Sequence, residues 1–152
     1  MIKRLTVHQF NDLAYPLLKK LLGDEVGPKV ADNDESDQDD LTDSWGYFID
    51  DRLIGVIGLG SYLTSIDKRW LGYFGVCPDC QKQGVGKKLL EHIEKECKIR
   101  YIKFLFVETY GGEKFISARK FYESNGFESC GYLRNYLRDG NNIEYYMKEI
   151  ED

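Results

Sequence analysis

The chain has 152 residues, the length of one domain, and its content of 42% hydrophobic and 14% aromatic residues excludes an intrinsically disordered protein. The net charge of −5 is unevenly distributed: seven of the 26 acidic residues lie within residues 32–43, which leaves 19 acids against 21 bases elsewhere. A basic surface that binds nucleic acid is therefore not expected. A membrane partner is not expected either, because the longest apolar run, residues 53–60, is too short to cross a bilayer.

A strand and a helix are predicted before the acidic segment. Ile2, Leu5 and Val7 indicate the strand, and apolar residues at helical spacing over residues 10–22 indicate the helix, which ends at Gly23. The first 25 residues lack the features of a secretory leader, so we expect a cytoplasmic protein. Residues 32–43 follow as a loop or a short, frayed helix. A calcium loop would need glycine at the sixth position of that segment, where aspartate stands.

Three strands and two strand–helix pairs are predicted after the acidic segment. Residues 45–50 and 52–63 form a hairpin pattern, and residues 69–76 form a third strand that ends before a proline, which lacks an amide hydrogen. The remaining elements are a helix from Val85, a buried strand over 101–107, a helix over 113–127, and a hairpin that joins 131–137 to 143–150. The order β-α-β-β-β-α-β-α-β-β predicts a mixed sheet with helices on its faces.

Residues 77–80, Cys-Pro-Asp-Cys, have the spacing of half a zinc site or of a thioredoxin-like motif. No second Cys-x-x-Cys pair exists in the chain, and the four cysteines do not form a disulfide framework in a protein of this length without a leader. We therefore expect no bound metal and assign these cysteines to an ordinary loop.

The segment Gln81-Lys82-Gln83-Gly84-Val85-Gly86 joins the third strand of the sheet pattern to the next helix. The first amides of a helix have no partner within it, and the helix dipole favours negative charge there. The two glycines let an anion approach the backbone, and three lysines lie nearby, at positions 82, 87 and 88. A pyrophosphate site fits these residues, as does a plain turn with solvated lysines. Neither a Walker loop nor a Rossmann fingerprint is present.

Two motifs together resemble those of the GNAT superfamily of acyl-CoA-dependent N-acyltransferases. The first, Gln/Arg-x-x-Gly-x-Gly/Ala, corresponds to residues 81–86. The second, Ala-x-x-Phe/Leu-Tyr-x-x-x-Gly-Phe, corresponds to Ala118, Phe121, Tyr122, Gly126 and Phe127, and one strand separates the two. The resemblance covers residues 70–132. It implies one GNAT-like domain over 1–152 with a mixed α/β fold. The implied fold has a mostly antiparallel sheet flanked by helices and a splayed strand pair that would form the acyl-CoA cleft.

The resemblance also implies a cosubstrate and roles for particular residues. Acetyl-CoA, or another short acyl-CoA, would be held by a bulged strand and the loop after it, at Phe74, Gly75, Val76, Gln81, Lys82, Gln83, Gly84, Val85, Gly86 and Lys87. The amide of Val76 would face the thioester oxygen as an oxyanion donor. Tyr122 matches the tyrosine that protonates the departing CoA thiolate, although the same residue would also suit an ordinary core position.

The chain departs from the family pattern at two positions. Phe115 stands where many relatives carry an asparagine that contacts the cofactor, and Trp70 stands where some relatives carry a glutamate base. An amine with a pKa of about 10.4 must lose a proton before it attacks, so a base or a proton route is still needed. Glu108, at the end of the strand after the loop, is the first candidate, acting directly or through water, and a solvated strand end is the alternative.

The function implied is an N-acetyltransferase in which a primary amine attacks acetyl-CoA directly in a ternary complex. The acceptor would be a small-molecule amine or a peptide amine. A flexible acidic segment over 32–43 would favour a cationic acceptor, since this part of the chain borders the acceptor site in many relatives. A solvated, disordered loop without a role in binding is the alternative. The alternative is a non-catalytic acyl-CoA-sensing or protein-interaction domain with the same fold. A homodimer is compatible with the sequence, which leaves the oligomeric state open.

Overall fold

The computed structural model describes residues 1–23, 43–61 and 66–151. Most of the acidic segment 32–43 therefore lies outside the described residues. The described elements follow the predicted order of strands and helices. The strands are β1 (Ile2–Arg4), β2 (Asp43–Ile49), β3 (Arg52–Gly60), β4 (Lys68–Val76), β5 (Phe104–Tyr110), β6 (Glu128–Leu133) and β7 (Ile143–Glu149). The α-helices are α1 (Val7–Gln9), α2 (Tyr15–Leu22), α3 (Val85–Ile99) and α4 (Ile116–Ser124).

The strands form a mixed, mostly antiparallel sheet in the order β1-β2-β3-β4-β5-β7-β6. Each neighbouring pair is antiparallel except β4 and β5, which run parallel. A parallel pair needs a long crossover, and α3 supplies it between these two strands. The predicted fold class is confirmed, and the crossover places the loop of residues 81–86 beside the parallel pair.

Helices cover both faces of the sheet. A Cβ atom built on Gly55 of β3 would lie 3.0–3.1 Å from side chains of Leu89 and Val85, so α3 packs on that face. A Cβ atom on Gly75 of β4 would lie 2.7 Å from Leu21 of α2. Gly55 pairs with Val76, the neighbour of Gly75, and successive residues of a strand point to opposite faces. Helices α2 and α3 therefore lie on opposite sides of the sheet.

The main hydrophobic core lies between the sheet and α3. Apolar positions of α3 recur at helical spacing and are buried, as the sequence pattern predicted: Val85, Leu89, Leu90, Ile93 and Cys97. They pack against buried residues of the central strands, among them Ile57, Leu105 and Val107. A smaller cluster under the N-terminal helices contains Leu5, Ala14, Leu18 and Val56. No helix within the described ranges is long and apolar enough to span a bilayer.

The two predicted hairpins are present, but the strand in the second begins and ends earlier than expected. Residues 131–137 were predicted as strand, whereas β6 covers Glu128–Leu133. The amide of Asn135 donates to the Asn142 side chain at 3.1 Å, and the amide of Leu137 donates to the Asn141 carbonyl at 3.0 Å. These bonds close a wide turn and satisfy the backbone that a longer strand would have paired. The prediction for residues 134–137 was therefore wrong.

Candidate active site

A gap opens between β4 and β5 above their short ladder. The two strands pair with each other only from Lys68–Phe104 to Trp70–Phe106. Beyond these residues, all of which the structure describes up to the ends of β4 and β5, they form no further pairs with each other. A bulge in β4 accompanies the divergence: Ile57 and Leu59 of β3 lie opposite Phe74 and Leu71, so three steps of β4 match two of β3. Bulges bend a strand and increase its twist. The splayed pair and the bulged strand implied by the sequence are both present.

The peptide groups of Val76 and Phe74 face this gap. The amide of Cys77 donates to Ile54 at 2.7 Å across the β3 side of the ladder. In an antiparallel strand the N–H and C=O of one residue point to the same edge, and successive residues alternate between the two edges. The N–H and C=O groups of Val76 and Phe74 therefore point away from β3. In agreement, the Val76 carbonyl accepts a bond from the Gln81 side chain at 3.0 Å instead of from β3.

Gly75 lies between these two residues, and its peptide groups face β3 by the same alternation. Gly75 allows α2 to pack closely on β4, because a side chain at this position would collide with that helix. Among the three β4 residues implied to contact the cosubstrate, the structure thus brings the main chain of two to the gap.

The loop after β4 leads into a helix end without a cap. Pro78–Cys80 forms a short 3₁₀ turn, and Lys82 and Gly84 then adopt left-handed backbone with φ of 63° and 81°. The first helical bond runs from the Lys88 amide to the Gly84 carbonyl at 3.0 Å, and no side chain caps the end. The four amides of residues 84–87 therefore lack acceptors within the helix and are available to an anion.

The lysines around the loop do not all face it in the same way. Lys82 and Lys87 are exposed at the start of α3. The Nζ atom of Lys88 lies 5.8 Å above the ring of Tyr47 on β2, so its charge is directed toward the sheet. Gln81 is held by its bond to Val76, which ties the loop to the end of the bulged strand. Lys82 and Lys87 are thus the lysines that supply positive charge beside the free amides.

Tyr122 is buried in α4 among aromatic rings that reach the gap. Its ring centroid lies 6.4 Å from that of Phe74 and 5.5 Å from that of Phe127. Burial raises the pKa of the Tyr122 phenol well above its ordinary value. The phenol is therefore protonated at physiological pH. Phe127 belongs to the core and is positioned by the turn at Gly126, whose φ is +88°.

Phe115 ends the turn before α4, where the family pattern has asparagine. Its ring packs edge-on against Tyr110 at the end of β5, with centroids 4.9 Å apart. Phe115 thus fixes the start of α4 to β5 by an apolar contact and offers no polar group to a cosubstrate.

A cavity lies where the β4–β5 ladder ends, on the face of the sheet away from α3. Leu105 and Val107 point into the core under α3, so Phe106 and Glu108 of the same strand point to the opposite face. The cavity is open, encloses about 620 Å³, and is lined by Trp70, Leu71, Phe106, Glu108, Cys130 and Tyr145. Trp70 is the last residue of β4 that pairs with β5 and Leu71 is the first that does not, so this pocket adjoins the gap.

Glu108 is the charged residue of this pocket. It lies directly opposite Tyr145 in the β5–β7 ladder. Burial raises the pKa of the Glu108 carboxyl, and burial together with the charge of Glu108 raises the pKa of Tyr145. The structure thus places Glu108 in a pocket next to the gap, the main chain of Val76 at the edge of the gap, and Tyr122 in the core beside the ring of Phe74.

Sequence reasoning missed the aromatic lining of the pocket. It considered Trp70 only as the position of an absent glutamate and did not select Phe106 or Tyr145. The alternation in residues 104–110 did carry a signal, because Phe106 and Glu108 are two residues apart in a strand and must share a face. Cys130 lines the pocket because β6 has a bulge there, between the pairs Ser129–Tyr146 and Gly131–Tyr145. No sequence pattern predicted this bulge.

The cysteines of the Cys-Pro-Asp-Cys segment are both free thiols in a turn. Cys77 is buried and accepts a contact from the Arg52 guanidinium at 3.4 Å. Burial raises the pKa of the Cys97 thiol to about 12, so that residue acts as a small apolar side chain of α3. In the part of the chain that the structure describes, no group of three or more His, Cys, Asp or Glu side chains is close enough to hold a metal ion.

Comparison with known protein families identifies one match. The model of the acetyltransferase (GNAT) domain matches residues 42–129, which is more than half of the chain. That stretch contains the bulged strand, the loop, both helices of the motifs and the strand between them.

Two curated relatives match over shorter stretches. The uncharacterized N-acetyltransferase YsnE of Bacillus subtilis (strain 168) is 39% identical over 62 residues, which is 41% of each chain. The ribosomal protein bS18-alanine N-acetyltransferase of Escherichia coli (strain K12) is 37% identical over 71 residues, or 47% of each chain. The matched stretch thus spans less than half the length of these relatives.

Among solved structures, the fold is similar to that of an aminoglycoside 6′-N-acetyltransferase complexed with coenzyme A. The TM-score is 0.79 with 18% sequence identity, and the superposition covers 100% of this chain and 98% of the other. At this identity the likeness concerns the fold alone.

Proposed function

The chain belongs to the GNAT acetyltransferase family, and from this premise we propose that it transfers an acetyl group from acetyl-CoA to a primary amine. In this proposal the amine attacks the thioester directly while both substrates are bound. The observation that carries the proposal is the gap between β4 and β5, because it combines an open strand edge at Phe74 and Val76 with an uncapped helix end.

The two ends of the gap suit different parts of acetyl-CoA. Free amides at residues 84–87, the helix dipole, and the charges of Lys82 and Lys87 are complementary to a pyrophosphate. The pantetheine arm carries amide groups, which match the outward peptide groups of Phe74 and Val76 in the manner of an added strand. The resemblance in overall fold to a protein that binds coenzyme A supports this assignment.

The reaction requires three groups around the thioester: a donor to the oxyanion, a proton donor for the thiolate and a base for the amine. Attack by the amine nitrogen forms a C–N bond and places negative charge on the carbonyl oxygen, which the outward amide of Val76 would stabilise. Collapse of this intermediate breaks the C–S bond, and Tyr122 would give its proton to the departing thiolate. An ammonium acceptor loses one proton before the attack and a second as the intermediate collapses. The second replaces the proton that Tyr122 gave to sulfur, so the products are an amide, CoA thiol and one released proton.

Glu108 is proposed as the group that takes the proton of the amine. It is the charged residue of a pocket that adjoins the gap, and its raised pKa makes it a stronger base than a carboxylate with an ordinary pKa. The aromatic walls lower the local polarity and so account for that shift.

Replacing Glu108 with glutamine should lower kcat/KM by roughly 10²-fold, the usual weight of one proton-transfer group. The same change should not lower stability near neutral pH, because a carboxylate with a raised pKa destabilises the fold when it is ionised. Steady-state kinetics and thermal unfolding of the same preparation measure both effects. Glu128→Gln, on the exposed β6 strand outside the pocket, is the matched control and should change neither.

The pH dependence of this variant gives a further check. Below the raised pKa of Glu108 its carboxyl is protonated in the folded chain and the penalty disappears, so wild type should gain stability relative to Glu108→Gln as the pH falls through that pKa. Wild-type kcat/KM should fall over the same pH range, since the base is lost. An acid limb that remains unchanged in Glu108→Gln would remove Glu108 from the mechanism.

A further inference from the structure

We propose that the pocket of Trp70, Phe106, Glu108 and Tyr145 is the acceptor site and selects an alkylammonium cation, to the exclusion of amines that carry a carboxylate. This inference rests on the proposed transferase function and adds to it the substrate class. It comes from the arrangement of aromatic rings around one carboxylate, which the family match does not assign.

Trp70 contacts the other two aromatic rings that line the pocket. The Trp70 and Phe106 centroids are 5.4 Å apart at an interplanar angle of 33°, and the Tyr145 ring meets Trp70 edge-on at 5.9 Å and 80°. Because Trp70 pairs with Phe106 and Glu108 pairs with Tyr145, the strand registers hold these four side chains on one face. A cation within about 6 Å of such ring faces is attracted to their quadrupoles.

The charge of the pocket favours the same ligand. Glu108 is its one charged residue, and no lysine or arginine of the described ranges forms an ion pair with it. Outside those ranges the chain has a single basic residue, Lys29. A carboxylate in an aromatic pocket attracts an ammonium group and repels a second carboxylate, so an α-amino acid or an acidic peptide end is a poor ligand.

The pocket also lies where an acceptor has to be. Its members Trp70 and Leu71 mark the point at which β4 and β5 separate, and the outward peptide groups of Phe74 and Val76 follow on the same strand. An ammonium group held at Glu108 would therefore be next to the gap proposed for the thioester. The same contact that binds the cation would prepare it for loss of its proton.

Two probes of nearly the same shape, neither of which carries an amine hydrogen, test the inference in the absence of acetyl-CoA: choline and its neutral isostere 3,3-dimethylbutan-1-ol. The chain has two tryptophans, so Trp45→Phe leaves Trp70 as the only one, and its fluorescence reports on the pocket. We expect choline to bind about tenfold or more tightly than the neutral isostere, in this variant and in the wild-type chain. Equal affinities of the two probes would overturn the inference.

Variants assign the preference to the pocket. Glu108→Gln and Trp70→Leu should each reduce the preference for choline, whereas Trp70→Phe, which keeps a ring, should retain part of it. Because Trp70 is replaced in two of these variants, they are measured by calorimetry. A preference for choline that survives both Glu108→Gln and Trp70→Leu would place the cation elsewhere and refute the site.

A separate turnover assay keeps this inference distinct from the proposed function. Acetyl-CoA is supplied in turn with a diamine, with an alkylamine whose alkyl chain carries no charge, and with an α-amino acid. Faster acetylation of the first two than of the amino acid supports the inference, and preference for the amino acid contradicts it. Selective binding of choline without acetylation of any amine would refute the transferase function while leaving the cation site in place.

Discussion

Replacing Tyr122 with phenylalanine should lower kcat by roughly 10²-fold and leave the affinity for acetyl-CoA unchanged. The substitution keeps the ring contacts with Phe74 and Phe127 and removes only the hydroxyl. Because burial keeps that hydroxyl protonated, the variant loses a proton donor for the thiolate and no charge. Pre-steady-state kinetics, under conditions in which the chemical step limits the rate, measure the effect.

Tyr146→Phe is the control for this experiment. The Tyr146 ring centroid is 6.3 Å from that of Tyr122, and its hydroxyl donates to Glu123 at 3.2 Å, away from the proposed reaction. We expect this variant to retain kcat within a small factor. If Tyr122→Phe is as active as Tyr146→Phe, Tyr122 is a core residue and the thiolate obtains its proton from another source.

Valine in place of Gly84 should weaken CoA binding by roughly 10- to 100-fold, the loss expected when one or two charge-assisted hydrogen bonds are broken. A Cβ atom at this position meets no protein atom within 4 Å, so the fold has room for the side chain, which would stand at the helix end that carries the free amides. The left-handed backbone, with φ of +81°, adds a strain of about 1–2 kcal/mol for any residue with a Cβ atom. Calorimetric titration with CoA and thermal unfolding separate the two effects.

Gly140→Val is the matched control, because Gly140 has φ of +83° and an equally open environment but lies in the β6–β7 turn. Both variants should lose similar stability, and only Gly84→Val should lose CoA affinity. Unchanged CoA binding in Gly84→Val, or equal loss in both variants, would contradict the pyrophosphate site at residues 84–87.

The order of elements could be predicted from the sequence because local patterns determine it. The helical spacing of apolar residues from Val85 predicted α3, and the proline after Cys77 predicted the end of β4. The second hairpin was displaced because its turn depends on the Asn142 side chain, which bonds to Asn135 seven residues away. A contact of that kind leaves no periodic pattern in the sequence.

The candidate site divides in the same way. The loop of residues 81–86 was visible as a motif, and its uncapped helix end has the predicted position. The gap depends on the register between β4 and β5, and the pocket depends on which residues of four strands share a face. Those are properties of strand pairing over long sequence separations, so Tyr145 could not be connected with Trp70 before the fold was known.

The central claim is that this chain uses acetyl-CoA to acetylate an amine. The most direct measurement is incubation with acetyl-CoA and a panel of alkylamines, with CoA thiol and the N-acetyl product quantified together by mass spectrometry. We expect wild type to form the two products in equal amounts, and Tyr122→Phe to form much less of both. Binding of acetyl-CoA without amide product from any amine would contradict this claim and would indicate an acyl-CoA-sensing domain with the same fold.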